Sequence, residues 1–107
     1  MTPLPVVPRE RANRDVDDAI AYYLSQGATD TALRFIAALE ESYDTVARHP
    51  AIGSARWGDE LDIPGLRSWP LADLPFLVFY AERPDHVDVW RVLHGRRDIP
   101  SALDAGS

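Results

Sequence analysis

The side chains of the C-terminal half most worth testing for contact with an anionic partner are Arg67, Arg91, His94, Arg96 and Arg97. Guanidinium groups hold a fixed positive charge, and the imidazole of His94 could also supply a proton-transfer group near neutral pH. If the strands around Arg67 and Arg91 are neighbours, these side chains gather into one cationic edge. The sequence therefore predicts a functional rim on the last strand and on the residues that follow it.

Each of these residues also has a structural interpretation. His94 could close its strand with a hydrogen bond, and Arg67 and Arg91 could form ion pairs with nearby aspartates instead of meeting a ligand. Arg96 and Arg97 follow the strand and are the better candidates for contact with a partner. The aspartates that could pair with the arginines are Asp73, Asp88 and Asp98.

The overall charge disfavours a general affinity for nucleic acid. All eleven cationic residues are arginine, and seventeen carboxylates leave a formal net charge of -6. A net-acidic surface repels a phosphate backbone unless its arginines are gathered on one face. Direct nucleic-acid binding by the chain alone is therefore not expected without a local patch.

Metal and thiol chemistry are not expected. Cysteine is absent, which excludes disulfides, thiolate metal sites and cysteine nucleophiles. Three aspartates near the start of the first predicted helix point in different directions around it, which favours a solvated first turn over a metal site. They are Asp15, Asp17 and Asp18. His49 and His86 have no metal-ligand spacing between them, so no metal or other cofactor is expected.

Composition predicts a single folded domain over residues 1–107. Apolar residues make up 46% of the chain and charged residues 26%, a globular balance that leaves no room for a long disordered region. No apolar run approaches the roughly 20 residues that cross a bilayer, and residues 1–9 lack the pattern of a secretory signal. A cytoplasmic location is expected.

The apolar pattern predicts a strand followed by two helices. Residues 4–8 have β character, but their prolines restrict them to a sheet edge. From about Arg11, apolar residues recur at helical spacing until Gly27, the expected C′ residue. A second helical stripe begins near Ala32 and stops before Pro50. The short connection predicts that the two helices form an antiparallel hairpin.

Three strand-like runs complete the pattern. They cover residues 66–71, 76–80 and 87–94, and turn signals between them predict an antiparallel meander. Residues 51–65 carry glycine and proline among charged residues, which indicates a loop, and residues 98–103 are expected to form at most one helical turn. The expected fold is α+β, with an N-terminal strand and an antiparallel two-helix hairpin packed on the antiparallel sheet.

This order of elements, joined to particular residues, resembles the ParE/RelE toxin superfamily, and its ParE branch in particular. The resemblance rests on Tyr22-Tyr23, Ala32, Phe35, His49-Pro50, Gly53, Gly65-Leu66-Arg67, Leu77-Val78-Phe79-Tyr80 and Arg91-Val92-Leu93-His94-Gly95-Arg96-Arg97-Asp98-Ile99-Pro100. It implies a toxin of a type II toxin-antitoxin system that inhibits DNA gyrase by contact. It also implies neutralisation by a ParD-like antitoxin that wraps the toxin.

Two alternatives remain open within the superfamily. A RelE-type toxin is a ribosome-dependent messenger RNA endonuclease, and its catalytic residues here would be His94, Arg91 and Arg67. The absence of lysine, and of any tyrosine after Tyr80, weighs against that enzyme. The other alternative is a decayed toxin that only binds its antitoxin.

Further candidate contact residues lie outside the arginine set. Trp57, in a polar segment, is a candidate for target binding because tryptophan is enriched at interface hot spots. The first strand could accept an added strand from an antitoxin through Leu4, Val6 and Val7. Tyr22 could meet a partner helix or could instead complete the core.

Overall fold

The computed structural model describes residues 2–104. A short strand, β1 (Val6–Pro8), leads into two long helices, α1 (Glu10–Ser25) and α2 (Thr29–Arg48). A 3₁₀ turn (Pro50–Ile52) and a short helix, α3 (Arg56–Glu60), follow. The chain continues through β2 (Leu66–Pro70), β3 (Phe76–Glu82), β4 (Val87–His94) and helix α4 (Ile99–Asp104). The predicted order of a strand, a helix hairpin and three strands is confirmed.

Both long helices end where the sequence predicts. α1 is followed by Gly27, whose φ of 69° is a left-handed conformation that glycine adopts without steric cost. The N–H of Ala28 bonds back to the Tyr23 carbonyl at 2.8 Å and closes the helix end. α2 ends before Pro50, which has no N–H to continue the helical hydrogen bonds.

The four strands form one mixed sheet in the order β1-β4-β3-β2. β2, β3 and β4 are consecutive antiparallel neighbours, as the meander prediction requires. β1 lies at the sheet edge and runs parallel to the start of β4, with Val7 opposite Asp88. In the part of the chain that the structure describes, the rest of that edge of β4 has no strand beside it.

The inner face of the sheet packs against the helix hairpin. Phe35 of α2 is fully buried, and its ring meets that of Phe76 edge-on with 5.0 Å between centroids. Apolar burial is the main force that fixes the hairpin on the sheet. Other buried members of this inner core are Ala12, Ala19, Ala38, Leu39, Val46, Leu71, Val78, Tyr80, Val87, Val89 and Val92.

A second apolar cluster lies on the outer face of the sheet, beneath α3 and α4. The prediction of a loop for residues 51–65 is wrong at residues 56–60, because these residues form helix α3. Helix α4 is longer than the single turn predicted. Gly58 allows α3 to approach β2, since a Cβ there would lie 2.5 Å from the Leu66 carbonyl oxygen. The buried members of this outer cluster are Leu66, Phe79, Leu93, Ile99, Ala102 and Leu103.

The hydroxyl of Tyr43 is buried, and residues 2–104 give it no hydrogen-bond partner. Burial, with the charge of Asp15 as a lesser cause, raises the pKa of Tyr43 to about 12. Because an unpaired buried hydroxyl costs about 1–3 kcal/mol, we expect Tyr43→Phe to raise the free energy of unfolding by about 1 kcal/mol. Urea denaturation measures the change, with Tyr22→Phe at a 61% exposed position as the neutral control. A loss of stability in Tyr43→Phe would show that the hydroxyl does have a partner.

Candidate functional site

Arg91 is buried and forms an ion pair with Asp15. The Arg91 side chain is 2% exposed and the Asp15 side chain 9% exposed. The guanidinium donates from Nε to Oδ2 at 2.7 Å and from Nη2 to Oδ1 at 2.9 Å, and its Nη1 donates to the Ala102 carbonyl at 2.8 Å. This two-pronged geometry is the strong form of an arginine–carboxylate pair. The Arg91 side chain thus links β4 to α1 and α4.

Asp15 also completes the edge of β4. β1 pairs only with residues 87–89 of that strand, and the N–H of Val92 donates instead to Asp15 Oδ2 at 3.0 Å. The hydrogen bonds to Asp15 raise the pKa of Arg91, against the opposing effect of burial. The Asp15 carboxylate therefore pairs with the buried Arg91 guanidinium and also accepts the Val92 N–H, which a neighbouring strand would otherwise bond.

These contacts correct two sequence predictions. Asp15 is not part of a solvated first turn, although Asp17 and Asp18 are exposed. Arg91 does form an ion pair, but with a carboxylate 76 residues earlier rather than with a nearby aspartate. Because both side chains are buried, the Arg91 guanidinium is engaged within the fold.

Arg67 and Tyr80 hold the segment after α2 against the sheet. Arg67 Nη1 donates to the Gly53 carbonyl at 2.8 Å. Tyr80 Oη accepts from the Gly53 N–H at 2.9 Å and donates to the Pro50 carbonyl at 2.8 Å. Glycine is needed at this close approach, since a Cβ at Gly53 would lie 2.6 Å from Tyr80 Oη. Arg67 therefore has a structural contact in the folded chain.

The strand register separates Arg67 from Arg91. Arg67 lies opposite Tyr80, whose side chain is in the inner core, whereas Arg91 lies opposite Phe79, whose side chain is in the outer cluster. Directly opposed residues project from the same face of a sheet, so the two arginines start from opposite faces. The single cationic edge that the sequence predicted is not assembled.

His94 lies at the end of β4 in a shallow groove beside α1. The groove has a volume of about 230 Å³, and Tyr22 and Arg97 contribute to its walls. His94 Nδ1 accepts the N–H of Arg96 at 3.1 Å, and its ring packs edge-on against Phe76 at 5.2 Å. The structure thus brings His94, Tyr22 and Arg97 together, and the contacts of His94 are those of a residue that closes a strand.

The remaining target candidates differ in accessibility. Arg96 and Arg97 are exposed beyond the end of β4, where a partner can reach them. Trp57 lies in α3, is half-buried and packs against the outer cluster, and the Arg56 guanidinium lies over its ring at 5.1 Å. Trp57 is therefore partly a core residue, whereas Arg96 and Arg97 are surface residues.

β1 has few backbone N–H groups that could hydrogen-bond to an added strand. The N–H of Leu4 already bonds to the Ala47 carbonyl at 3.1 Å, and the prolines of this segment have no N–H to donate. Alternate residues of a strand direct their backbone groups to opposite sides. Since Pro5 bonds toward β4, Val6 is the residue of β1 whose N–H faces outward.

Val7 and Tyr22 are the accessible apolar side chains among the antitoxin-binding candidates. Val7 is 50% exposed and Tyr22 is 61% exposed, whereas Leu4 and Val6 are half-buried against the inner core. The Tyr22 and Tyr23 rings form a T-shaped contact with 5.8 Å between centroids. The alternative in which Tyr22 completes the core is therefore wrong.

Sequence reasoning missed a polar cluster at one end of the sheet, which we call the arginine cluster: Arg9, Arg83, Asp88 and Trp90. Arg9 donates to both Asp88 oxygens at 3.0 and 2.9 Å, and Arg83 donates twice to Oδ2 at 3.3 and 3.1 Å. The Trp90 indole N–H also donates to Oδ2, at 3.1 Å, and the Arg9 guanidinium lies 4.3 Å over the Trp90 ring. The sequence signal for it was the two-residue spacing of Asp88 and Trp90, which favours one face of a strand.

Asp88 makes stability depend on pH in the acid range. Burial raises its pKa, but the hydrogen bonds from Arg9, Arg83 and Trp90 outweigh burial and lower the pKa below the ordinary value of 3.8. A pKa that is lower in the folded state gives stability that is present above the unfolded pKa and is lost as pH falls through the folded pKa. We expect the free energy of unfolding of the wild type to exceed that of Asp88→Asn at neutral pH. The difference should shrink below about pH 4. Urea denaturation across that range measures it, and a difference independent of pH would contradict the assignment.

The described residues contain neither a metal-binding cluster nor a membrane-spanning helix. Within residues 2–104, no group of three or more His, Asp or Glu side chains is placed to hold a metal ion. In the same span, no helix is long and apolar enough to cross a bilayer.

A parallel edge strand, a helix hairpin and an antiparallel meander together define a RelE/ParE-type toxin fold. The family profile described as "ParE toxin of type II toxin-antitoxin system, parDE" matches residues 6–99. The chain therefore belongs to the ParE toxin family.

A solved structure has the same fold at low sequence identity. It is described as "Chromosomal ParDE TA system from P. aeruginosa", and it aligns with a TM-score of 0.71 and 16% identity over 85% of this chain and 95% of that chain. A comparison with curated protein sequences gave no match. At this identity the structural likeness concerns the fold.

Proposed function

We propose that this toxin inhibits DNA gyrase by contact in the cytoplasm and that a ParD-like antitoxin neutralises it. The observation that carries the proposal is that both arginines among the three catalytic candidates are already engaged inside the fold, which leaves His94 without a cationic partner from that set. Arg91 is bound to Asp15, and Arg67 to a backbone carbonyl. An RNA-cutting mechanism would need such groups to face the phosphate that reacts. Membership of the ParE family supports gyrase as the target, because the resemblance is to toxins that act on it.

The proposed target surface is the end of β4 with the residues that follow it. His94 and Arg97 meet in the groove beside α1, and Arg96 is exposed next to them. The two arginines stand on a chain of formal net charge -6, so they would act at short range within a matched interface. Inhibition by contact at this surface requires no covalent bond of the target to be cleaved.

The proposed antitoxin surface is the exposed side of α1 around Tyr22, with Val7 as a further apolar contact. Antitoxins of this type bring a disordered segment that folds on the toxin, and such segments need exposed apolar side chains to bury. Tyr22 and Val7 meet that need at 61% and 50% exposure.

Expression of the chain alone in bacterial cells tests the proposal. We expect growth arrest together with a loss of negative supercoiling in a reporter plasmid, and recovery when a ParD-like protein encoded beside the toxin gene is also expressed. Messenger RNA cut at ribosomal A-site codons, with supercoiling unchanged, would contradict gyrase as the target. Absence of growth arrest would contradict an active toxin and favour the decayed alternative.

His94→Gln separates contact from catalysis. Removal of a general acid or base costs about 10²–10⁴ in rate, so an endonuclease that depends on His94 would lose nearly all of its toxicity. We expect only a modest rise in the toxin dose that arrests growth, because glutamine keeps a polar side chain at the groove. Thermal unfolding of the purified variant controls for folding. A loss of about a hundredfold or more with an unchanged melting temperature would contradict action by contact.

A further inference from the structure

We propose that the arginine cluster is a docking site for a peptide segment that carries a carboxylate beside an apolar side chain. Arg9 and Arg83 share the single carboxylate of Asp88. Within the cluster itself, two positive charges and one negative charge leave a net charge of +1, on a chain whose formal net charge is -6. The site is separate from the groove beside His94 and shares Val7 with the proposed antitoxin surface. The inference holds whichever macromolecule the toxin inhibits.

Both arginines keep donors for a second anion. A guanidinium has five N–H groups, and each arginine uses only Nε and Nη2 on Asp88. Their side chains are 36% and 42% exposed, whereas that of Asp88 is 12% exposed. The carboxylate thus forms the floor of the cluster, and the outer edges of the two guanidiniums remain open to a planar anion.

The cluster is held in place before any partner binds. Arg9 is fixed by its two bonds to Asp88 and by the Trp90 ring 4.3 Å beneath it. The Trp90 indole is itself bonded to Asp88 at 3.1 Å. Side chains that are already ordered lose little conformational entropy on binding, so even a short anionic segment can bind with useful affinity.

An exposed apolar side chain adjoins the cluster on the same face. Val7 lies directly opposite Asp88 in the parallel pairing of β1 and β4, and paired residues share a face of the sheet. Val7 is 50% exposed. A peptide that places a carboxylate on the arginines can therefore bury an apolar neighbour on Val7.

Charge favours a peptide over nucleic acid as the occupant. A nucleic acid presents a phosphate at every nucleotide, and its binding requires several cations along a surface. Here one pair of arginines stands on an acidic chain, and Glu82 and Asp85 are exposed on the same hairpin. A single carboxylate can approach the two guanidiniums, whereas a polyanion would also meet these acidic residues.

Nuclear magnetic resonance of the full chain tests the site through the Trp90 indole N–H, identified by its loss in Trp90→Phe. The probe is the peptide acetyl-Gly-Leu-Glu-Leu-Gly-Gly-amide, and the matched control peptide has lysine in place of the glutamate. We expect the acidic peptide to shift the Trp90 signal in a saturable way. Arg83→Gln should weaken binding about tenfold, the factor that corresponds to one charge-assisted hydrogen bond, and Arg34→Gln on α2 should leave it unchanged.

Several outcomes would overturn the docking site. The first is the absence of a shift in the Trp90 signal at millimolar peptide. The second is an equal shift with the lysine peptide. The third is an equal or larger shift with inorganic phosphate or an oligothymidylate. Arg83→Gln keeps the bonds from Arg9 and Trp90 to Asp88, so the fold should persist. If its spectrum nevertheless shows unfolding, Val7→Thr is the second variant, and unweakened binding of the acidic peptide to it would also overturn the site. None of these results bears on gyrase inhibition.

Discussion

An Arg91→Ala variant is expected to have a free energy of unfolding about 3–5 kcal/mol below that of the wild type, because removal of one partner leaves a buried charge without compensation. The Asp15 carboxylate, 9% exposed, would lose both guanidinium bonds. The Ala102 carbonyl would also lose its donor. A domain of this size is stable by about 5–15 kcal/mol, so the loss is a large part of the total. Urea denaturation measures it directly.

Two further variants show that the effect belongs to the ion pair. Arg34→Ala removes an exposed arginine from α2 and should change stability by less than about 0.5 kcal/mol. The double variant Asp15→Leu with Arg91→Met should be more stable than Arg91→Ala, because a well-packed apolar pair can replace a buried ion pair. An Arg91→Ala protein with wild-type stability but no toxicity would mean that Arg91 contacts the target.

A Tyr22→Ala variant is expected to bind the antitoxin about 30-fold more weakly, which corresponds to about 2 kcal/mol at an aromatic hot spot. Tyr22 is 61% exposed and its ring forms a T-shaped contact with that of Tyr23, so its removal should leave stability within about 0.5 kcal/mol of the wild type. Isothermal titration calorimetry with the C-terminal segment of the ParD-like antitoxin measures the affinity.

Leu33→Ala is the matched control, because Leu33 is equally exposed, at 61%, on the other long helix. Its affinity for the antitoxin should stay close to that of the wild type. Equal losses in the two variants would indicate general apolar association instead of a specific surface at Tyr22. Wild-type affinity in Tyr22→Ala would remove this residue from the antitoxin surface.

Local patterns in the sequence predicted most of the fold because they are set by local physics. The helical stripe of α1 ends at Gly27, which has the positive φ that a helix terminus favours. The turns between β2, β3 and β4 allow only short connections, so the meander follows from chain length. Helix α3 was missed, and α4 was predicted to be shorter than it is, because five- and six-residue segments are too short to show a helical period.

The candidate site was harder to predict because its geometry depends on contacts between distant residues. The pair of Asp15 with Arg91 spans 76 residues, and that of Arg9 with Asp88 spans 79 residues. No local pattern shows which carboxylate reaches which arginine. Sheet register also decides which face a side chain occupies, and it placed Arg67 and Arg91 on opposite faces. Exposure could be predicted at Arg96 and Arg97, because they follow the last strand.

Titration of purified DNA gyrase with the purified chain shows whether this toxin acts through binding. We expect inhibition of supercoiling to follow the molar ratio of toxin to gyrase and to be relieved by the ParD-like antitoxin. Translating ribosomes treated in parallel should keep their messenger RNA intact. Gyrase that remains fully active in a molar excess of folded toxin, together with many A-site cuts per toxin molecule, would contradict this mechanism.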